Sequence, residues 1–371
     1  MKSQINNLAS KRLVWLDALK GIGILLIMTC HAGLLPRVSI FLTAGYVSIF
    51  FVASGFTYKA KPTFTSEIGK RSKRLLLPYF FYVSLSIILM NAFQIKGDFI
   101  QQVLGMIYSR YSLFFGINDV RDVPMLTQTC NSPTWFLTAL FTSLMVMYII
   151  KSLKWQWVVL TCLGFSVLTL YLPFLLPWSL DTAFVGALFI YLGKKIRGGQ
   201  FWIPNGKTWL GCFVIYAVVV FLEKTNNISV RQYGVHEPFS ILSYLFIGVM
   251  ETLLLVYLFV KFEKTILIKL LAYIGRMSLV LMCVHAPLIM VFKKKICLTC
   301  NLNDSVVVLV ALLFAFVIAY FIQMLSHKIN HCSQDTANRD IRDLIAKGIL
   351  KPTGEGGRST NYELVSPSIV R

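Results

Sequence analysis

The chain contains 371 residues, of which 56% are hydrophobic and 14% are charged, and its mean hydropathy is +0.69. A soluble protein of this length needs a larger polar fraction to cover its core, so the composition excludes a soluble globular enzyme. The net charge of +20 fits a membrane protein, because Lys and Arg accumulate in the cytoplasmic loops of such proteins.

Apolar stretches of roughly 20 residues, the length that a helix needs to cross a bilayer, recur along most of the chain. They predict an all-α, polytopic integral membrane protein of about ten transmembrane helices. Lys and Arg are more frequent in alternate loops, which predicts cytoplasmic N- and C-termini. The predicted spans are residues 13–33, 39–58, 75–93, 133–150, 158–176, 178–193, 208–222, 238–260, 270–292 and 305–326.

The first predicted span carries three ionisable side chains on one face. Arg12 precedes the span, Asp17 and Lys20 lie in its first half, and His31 closes it. A helix turns about 100° per residue, so residues 11 and 14 positions apart fall near one side. Ionisable groups are costly inside a membrane and usually mark a functional site. We therefore predict that this stripe is one wall of a site.

The long segment 94–132 contains an amphipathic stretch that is predicted to lie along the membrane surface. Pro133 is predicted to begin the next span, and Trp135 falls at its interface. Two interpretations of Trp135 remain open, an aromatic-belt residue and a side chain that stacks on a substrate.

After about residue 326 the composition becomes polar, which predicts a small cytoplasmic α/β tail over 327–371. The expected elements are a helix that buries Ile341, Leu344 and Ile345, followed by a hairpin with its loop at Gly354–Gly357. The tail resembles the last helix and wing of the winged-helix element at the end of some Fic-type proteins. Only a fragment of that element is present, so no nucleic-acid partner is assigned.

Five separate sequence blocks occur in order over residues 10–326. They are Arg12, Asp17, Lys20-Gly21 and His31; Phe50-Phe51 and Ser54-Gly55-Phe56; Arg71, Arg74 and Pro78; Trp135-Phe136-Leu137; and Gly275, Ser278 and His285. Together these blocks resemble the membrane acyltransferase-3 family, and the resemblance identifies residues 1–326 as the membrane acyltransferase domain. The resemblance implies an O-acyltransferase of the bacterial inner membrane. Its expected donor is cytosolic acyl-CoA, in particular acetyl-CoA, and its expected acceptor is a sugar hydroxyl of a surface polysaccharide or lipid-linked glycan.

On this resemblance His31 is the expected general base, because an imidazole with an ordinary pKa of about 6.5 can take a hydroxyl proton at neutral pH. Asp181 is expected to orient that imidazole, since it should lie at the depth of His31. Asp17 lies about four turns lower and is expected to pair with Lys20 or Arg12. Glu251 falls within another span and receives no role.

His285 and Ser278 are seven residues apart, on one face of a predicted helix. His285 is expected to assist the base or to donate to the thioester oxyanion. A structural hydrogen bond between helices is the alternative for both residues.

The donor side is assigned to cations at the cytoplasmic face. Arginine forks suit the phosphates of CoA, so Arg71 and Arg74 are expected to bind the donor together with Arg12 and Lys20. The alternative is that these cations only set the membrane topology.

Two rival functions remain open from the sequence: a transporter, which is the main one, and a membrane-anchored regulator, which only the tail suggests. A transporter or exporter of a glycan or small anion would line its path with the same intramembrane charges. No metal is expected for any of these functions, because Cys297 and Cys300 form a lone CxxC without a second pair.

Overall fold

A computed structural model of the chain describes most of the predicted membrane region and parts of the tail. The described residues are 13–33, 41, 44–95, 98–110, 113–115, 123–126, 132–172, 174–223, 238–297, 303–330, 341–352 and 362–365. Arg12 lies outside the described residues, as do the predicted hairpin loop at Gly354–Gly357 and Cys300.

Helices make up about three quarters of the described residues, which confirms the helical fold class. They are α1 (Val14–Ala32), α2 (Ser48–Phe56), α3 (Phe64–Arg71), α4 (Leu77–Ala92), α5 (Phe99–Tyr108), α6 (Trp135–Ile149), α7 (Trp155–Leu170), α8 (Ala183–Arg197), α9 (Trp209–Glu223), α10 (Pro238–Lys261), α11 (Ile266–Arg276), α12 (Ser278–Phe292) and α13 (Asp304–Asn330). Short 3₁₀ turns at Ser132–Thr134 and Pro177–Ser179 precede α6 and α8.

Four helical stretches in the described residues are long and apolar enough to cross a membrane. They are Val14–Ala32, Phe64–Ala92, Ile241–Lys261 and Asp304–Leu325. The bent pair α11 and α12 counts as a fifth if it forms one span. Apolar helices of this length define a membrane protein, whereas the number of ten spans stays a prediction.

Two predicted spans are interrupted where the sequence pattern is continuous. Within the span predicted over 39–58, residues 44–47 form bends and turns. The helix α2 begins after them, at Ser48. The span predicted over 270–292 is broken at Met277, where α11 and α12 meet at a 72° bend. Pro287 lies inside α12, away from that bend.

A π-helical turn over Ser72–Leu76 joins α3 to α4. A π turn contains an extra residue relative to an α turn, so it rotates the following side chains about the helix axis. Insertions of this kind often occur at functional sites. Here the turn lies within the basic run that carries Arg74.

Helix α1 lies against α2, α10, α11 and α12, and its buried apolar side chains face several directions. Trp15, Leu19, Ile24 and Met28 are each almost fully buried. A helix that is apolar on all sides belongs in the interior of a bundle. The predicted wall helix is therefore central to the membrane unit.

The described strands form two small antiparallel hairpins. In the segment predicted as amphipathic, α5 is followed by β1 (Leu113–Phe115) paired with β2 (Val123–Leu126), and this hairpin was not predicted. In the tail, residues 341–346 are helical, and β3 (Leu350–Pro352) pairs with β4 (Tyr362–Leu364) as the sequence predicts.

The chain divides into two compact units, Met1–Phe316 and Val317–Arg371. The division falls inside α13. The domain boundary at residue 326 and the cytoplasmic position of the tail stay predictions.

Candidate active site

The C-terminal end of α1 carries His31 in its last turn. The helix ends at Gly33, which has a φ of 70° and donates its backbone N–H to the carbonyl of Cys30 at 3.1 Å. Glycine adopts this left-handed conformation without steric cost, which explains the sharp end of the helix after Ala32. His31 is thereby held at a helix terminus with an exposed ring.

His31 meets His285 of α12 at this end. The Nδ1 atom of His31 lies 3.4 Å from the Nε2 atom of His285, and the ring centroids are 5.2 Å apart. His285 is completely buried, whereas His31 is exposed. The structure therefore brings together two of the predicted site residues, one in the interior and one open to its surroundings.

The carbonyl groups beside the two rings determine where their protons lie. The Nδ1 atom of His285 is 2.7 Å from the Leu281 carbonyl, and the Nδ1 atom of His31 is 2.9 Å from the Ile27 carbonyl. A carbonyl oxygen only accepts, so in both neutral rings the proton sits on Nδ1. The lone pair of His285 Nε2 faces the same Nδ1–H of His31, as the longer arm of a shared hydrogen bond whose shorter arm goes to the Ile27 carbonyl. The basic lone pair of His31 is on its own Nε2.

Asp181 lies in a buried ion pair. Its carboxylate accepts a hydrogen bond from the Arg110 guanidinium and another from the Thr182 backbone N–H at 3.1 Å. Arg110 also donates through Nε and Nη2 to the Leu176 carbonyl, at 3.0 and 2.8 Å. The orientation of His31 by Asp181 stays a prediction.

Arg110 itself was missed by the sequence interpretation. It follows α5, in the segment predicted as a surface helix, yet only 2% of its surface is exposed. Its partner, Asp181, is 71 residues away in the chain. The only sequence signal for its burial is that this arginine lies within an apolar stretch. A buried arginine needs a nearby carboxylate, and Asp181 supplies it.

The other end of α1 carries Asp17 and Lys20. The Lys20 Nζ atom lies 3.5 Å from an Asp17 carboxylate oxygen, so these two side chains form the expected pair. Lys20 is 29% exposed and Asp17 is 9% exposed at the side chain. Because a paired carboxylate is less costly to bury, Asp17 fits inside the helical unit.

Helix α11 packs against this end of α1 at two glycines. A Cβ atom on Gly21 would collide with the Leu271 carbonyl oxygen, and one on Gly275 would collide with the Asp17 carbonyl oxygen. Small residues allow helix backbones to approach in this way. The Lys20-Gly21 and Gly275 positions of the predicted sequence blocks are thus explained by packing.

Arg71 and Arg74 occupy different environments despite their spacing of three residues. Arg71 is buried, and its Nε and Nη2 atoms both lie 2.7 Å from Glu67 Oε1. The other oxygen of Glu67 accepts the Lys61 backbone N–H at 2.8 Å. Arg74, in the π turn, is exposed. The two arginines predicted to bind the donor therefore separate into one paired cation and one accessible cation.

Tyr58 lies under Arg71, in the loop that follows α2 and outside the candidate spans. The guanidinium carbon of Arg71 is 5.2 Å from the centre of the Tyr58 ring. Burial, together with the negative charge of Glu67, raises the pKa of Tyr58 to about 12. Its buried hydroxyl therefore stays protonated at neutral pH, and it has no hydrogen-bond partner among the described residues.

Trp135 and Ser278 begin α6 and α12. Trp135 is partly buried, and its carbonyl accepts a hydrogen bond from Thr138 at 2.8 Å. Ser278 is two turns before His285 on α12, which is roughly 10 Å along the axis. That separation places Ser278 next to the bend at Met277 rather than next to the histidine pair.

Within the described ranges, no three His, Cys, Asp or Glu side chains are arranged to hold a metal ion. The site is thus defined by the histidine pair at one end of α1 and by the charged residues at and near the other end.

The described residues thus combine apolar helices of membrane-spanning length with an exposed imidazole that contacts a buried one. The sequence profile of the acyltransferase domain of the acyltransferase-3 family matches residues 13–324. The chain therefore belongs to the acyltransferase-3 family and is a membrane acyltransferase. No curated protein and no solved structure matches the chain.

Proposed function

We propose that this protein transfers an acyl group, in particular acetyl, from cytosolic acyl-CoA to a sugar hydroxyl of a surface polysaccharide or lipid-linked glycan. The family match supports acyl transfer. The observation that carries the proposal is the exposed His31 ring beside His285, with its Nδ1 at the Ile27 carbonyl, because that carbonyl can only accept and so leaves the basic lone pair on Nε2.

In the proposed reaction Nε2 of His31 takes the proton of the acceptor hydroxyl as its oxygen attacks the thioester carbonyl. The new C–O bond forms, the C–S bond breaks, and the CoA thiolate leaves with the proton carried by His31. The Ile27 carbonyl accepts from the Nδ1–H of His31, and His285 packs against the same edge of the ring, so the two together fix the ring while its Nε2 becomes protonated. Holding the imidazole in this way is part of the role that a carboxylate has in a catalytic triad.

The donor seat is proposed at the opposite end of α1. Arg74 is one of two exposed cations of the π turn, with Lys73, and Lys20 is partly exposed beside Asp17. Both are available to CoA phosphates, and Arg12 is proposed to join them. Arg71 is proposed to hold this region together through Glu67, so its contribution to the donor is indirect.

The acceptor is proposed to approach from the histidine end, with Trp135 available for stacking on a sugar ring. Asp181 is proposed to brace the neighbouring turn through Arg110. Ser278 has no proposed contact with the reacting groups. In this scheme the protein spans the bacterial inner membrane with both termini in the cytoplasm, and Arg74 faces the cytosol.

The test is transfer of labelled acetyl from acetyl-CoA by the purified protein in lipid nanodiscs, with extracted surface glycan as acceptor. We expect covalently labelled glycan and release of free CoA thiol in equal amounts. A nanodisc encloses no compartment, so a transporter gives no product in this assay. Absence of labelled glycan, together with acetyl or glycan uptake into proteoliposomes, would favour the transporter instead.

A further inference from the structure

Glu251 is a buried carboxylate in α10 that the proposed transfer reaction does not use. It is 6% exposed and lies on a helix that packs against both α1 and α2. A carboxylate kept inside the membrane region needs donors to offset the cost of burial. Its donors come from a second helix and from the chain that leads into α2.

The backbone N–H of Gly45 donates to Glu251 Oε2 at 2.7 Å. The hydroxyl of Tyr216 lies 3.1 Å from the same oxygen and 2.7 Å from the carbonyl of Phe41. Residues 41 and 44–47, which we call the strap, thus meet Glu251 and Tyr216 at two points. Residues 44–47 are not helical, and non-helical backbone at membrane depth persists only where the protein satisfies its polar groups.

The strap is also held from the side of α2. Ser48, the first residue of α2, donates its hydroxyl to the Gly45 carbonyl at 2.6 Å and lies 3.2 Å from the Gly248 carbonyl. A Cβ atom on Gly45 would lie 2.8 Å from Glu251 Oε2 and 2.9 Å from the Gly248 backbone. The strap therefore fits against α10 without spare room, and Glu251 marks the centre of that contact.

The strap connects Glu251 to the end of α1. Tyr46 follows Gly45, and its side chain lies beside that of Cys30, the residue directly before His31. One turn into α2, the Phe50 ring lies 2.7 Å from where a Cβ on Gly23 of α1 would be. Movement of the strap would thus be transmitted to α1 at two levels, one of them adjacent to His31.

We propose that Glu251 is a positioning residue that fixes the strap by hydrogen bonding and thereby, through Tyr46 and Cys30, sets the position of His31. The proposal rests on the proposed role of His31 as the base. What Glu251 contributes is an acceptor oxygen for Gly45 and Tyr216. It touches neither donor nor acceptor, so it should affect the turnover step rather than donor binding.

The experiment compares four single variants of the full-length protein in nanodiscs. Glu251→Gln keeps an acceptor oxygen, whereas Glu251→Ala removes it. Tyr46→Phe removes only the hydroxyl of the side chain that lies beside Cys30. Thr252→Val is the matched control, because Thr252 is buried on the same helix but bonds only the Gly248 carbonyl of its own helix at 2.7 Å.

We expect Glu251→Ala to lower kcat for acetyl transfer by roughly 10- to 100-fold, the loss that a displacement of about 1 Å produces, with KM for acetyl-CoA unchanged. Glu251→Gln and Thr252→Val should stay near wild type. Tyr46→Phe should cause a smaller loss, and combining it with Glu251→Ala should add nothing, since both act through one path.

A readout independent of activity is the rate at which Cys30 reacts with a membrane-permeant maleimide, followed by peptide mass spectrometry. The rate should rise in Glu251→Ala and in Tyr46→Phe, and it should stay at the wild-type level in Glu251→Gln. If the wild-type protein transfers no acetyl but this pattern of Cys30 reactivity holds, the proposed reaction is wrong. The proposal that Glu251 fixes the strap is then still supported.

Two results would overturn the proposal. In the first, Glu251→Gln loses as much activity as Glu251→Ala, which would mean that the charge or proton of Glu251 acts directly. In the second, Glu251→Ala lowers the yield of folded protein, but the folded fraction keeps the wild-type kcat and the wild-type Cys30 reactivity. Glu251 would then be purely structural.

Discussion

The two ends of α1 hold ionisable groups by opposite means. At the histidine end, His31 and His285 contact one another, and each ring has its Nδ1 at a carbonyl of its own helix. At the other end, Lys20 is matched by Asp17, and in the nearby α3 Glu67 is matched by Arg71. Neutral groups that can gain a proton suit proton transfer, whereas paired charges suit structure and the recognition of an anion.

In the proposed reaction, donor binding and proton transfer are separated along α1. A base must change its protonation state during turnover, and a neighbouring fixed charge would bias that change. The proposed donor seat needs cations that stay charged, such as Arg74. Lys20 and His31 are 11 residues apart, roughly 17 Å along α1, so the proposal puts the donor's reactive thioester far from its phosphates.

The largest effect should come from breaking a buried pair near the charged end. Arg71→Ala leaves the carboxylate of Glu67, which is fully buried, without its cation. Removing one partner of a buried pair typically costs about 3 kcal/mol or more. We expect a clearly lower thermal midpoint in detergent, and the double variant Arg71→Met/Glu67→Leu should recover much of it. A single variant as stable as wild type would show that this pair does not hold the region.

Arg74→Ala should differ from Arg71→Ala in its effect on stability, because Arg74 is exposed. Its thermal midpoint should match wild type, while KM for acetyl-CoA should rise about 10-fold, as expected for one lost charge-assisted hydrogen bond. An unchanged KM would remove Arg74 from the donor seat.

A smaller loss of stability should follow from adding a single methyl group between α1 and α11. Gly21→Ala places a Cβ against the Leu271 carbonyl, and backbone cannot rotate away as a side chain can. Overpacking of this kind typically costs about 1–3 kcal/mol. Gly164→Ala in α7 is the control, because nothing lies within 4 Å of its added Cβ, and it should not destabilise. Equal midpoints for the two variants would contradict the close contact.

At the histidine end, replacing the buried ring should affect turnover more than folding. His285→Ala removes the acceptor that faces Nδ1 of His31, and we expect kcat to fall roughly 10- to 100-fold with KM for acetyl-CoA unchanged. His285→Gln offers an oxygen near the position of Nε2 and should recover part of the rate. If Gln and Ala are equally impaired, the hydrogen bond to His31 is not what His285 provides.

Local patterns in the sequence predicted the parts of this site that lie on one helix. The spacing of Asp17, Lys20 and His31 was sufficient to place them along α1, and the pairing of Asp17 with Lys20 followed from their three-residue separation. The tail hairpin was also predictable from its turn residues and short strands.

Contacts between distant segments were not predictable in the same way. His285 is 254 residues from His31, and Arg110 is 71 residues from Asp181, so no periodicity links them. The sequence before Ser48 predicts a continuous apolar span. Its non-helical backbone is satisfied by Glu251, about 200 residues further on, which no local pattern reveals.

The central claim is that His31 is the base, and His31→Ala tests it most directly. The variant and the control Thr29→Val, which alters a side chain that bonds only its own helix, are reconstituted in nanodiscs with labelled acetyl-CoA and glycan acceptor. We predict that His31→Ala binds acetyl-CoA with the wild-type Kd but transfers acetyl about 10²- to 10⁴-fold more slowly, while Thr29→Val keeps the wild-type rate. Transfer by His31→Ala at the wild-type rate would contradict the account.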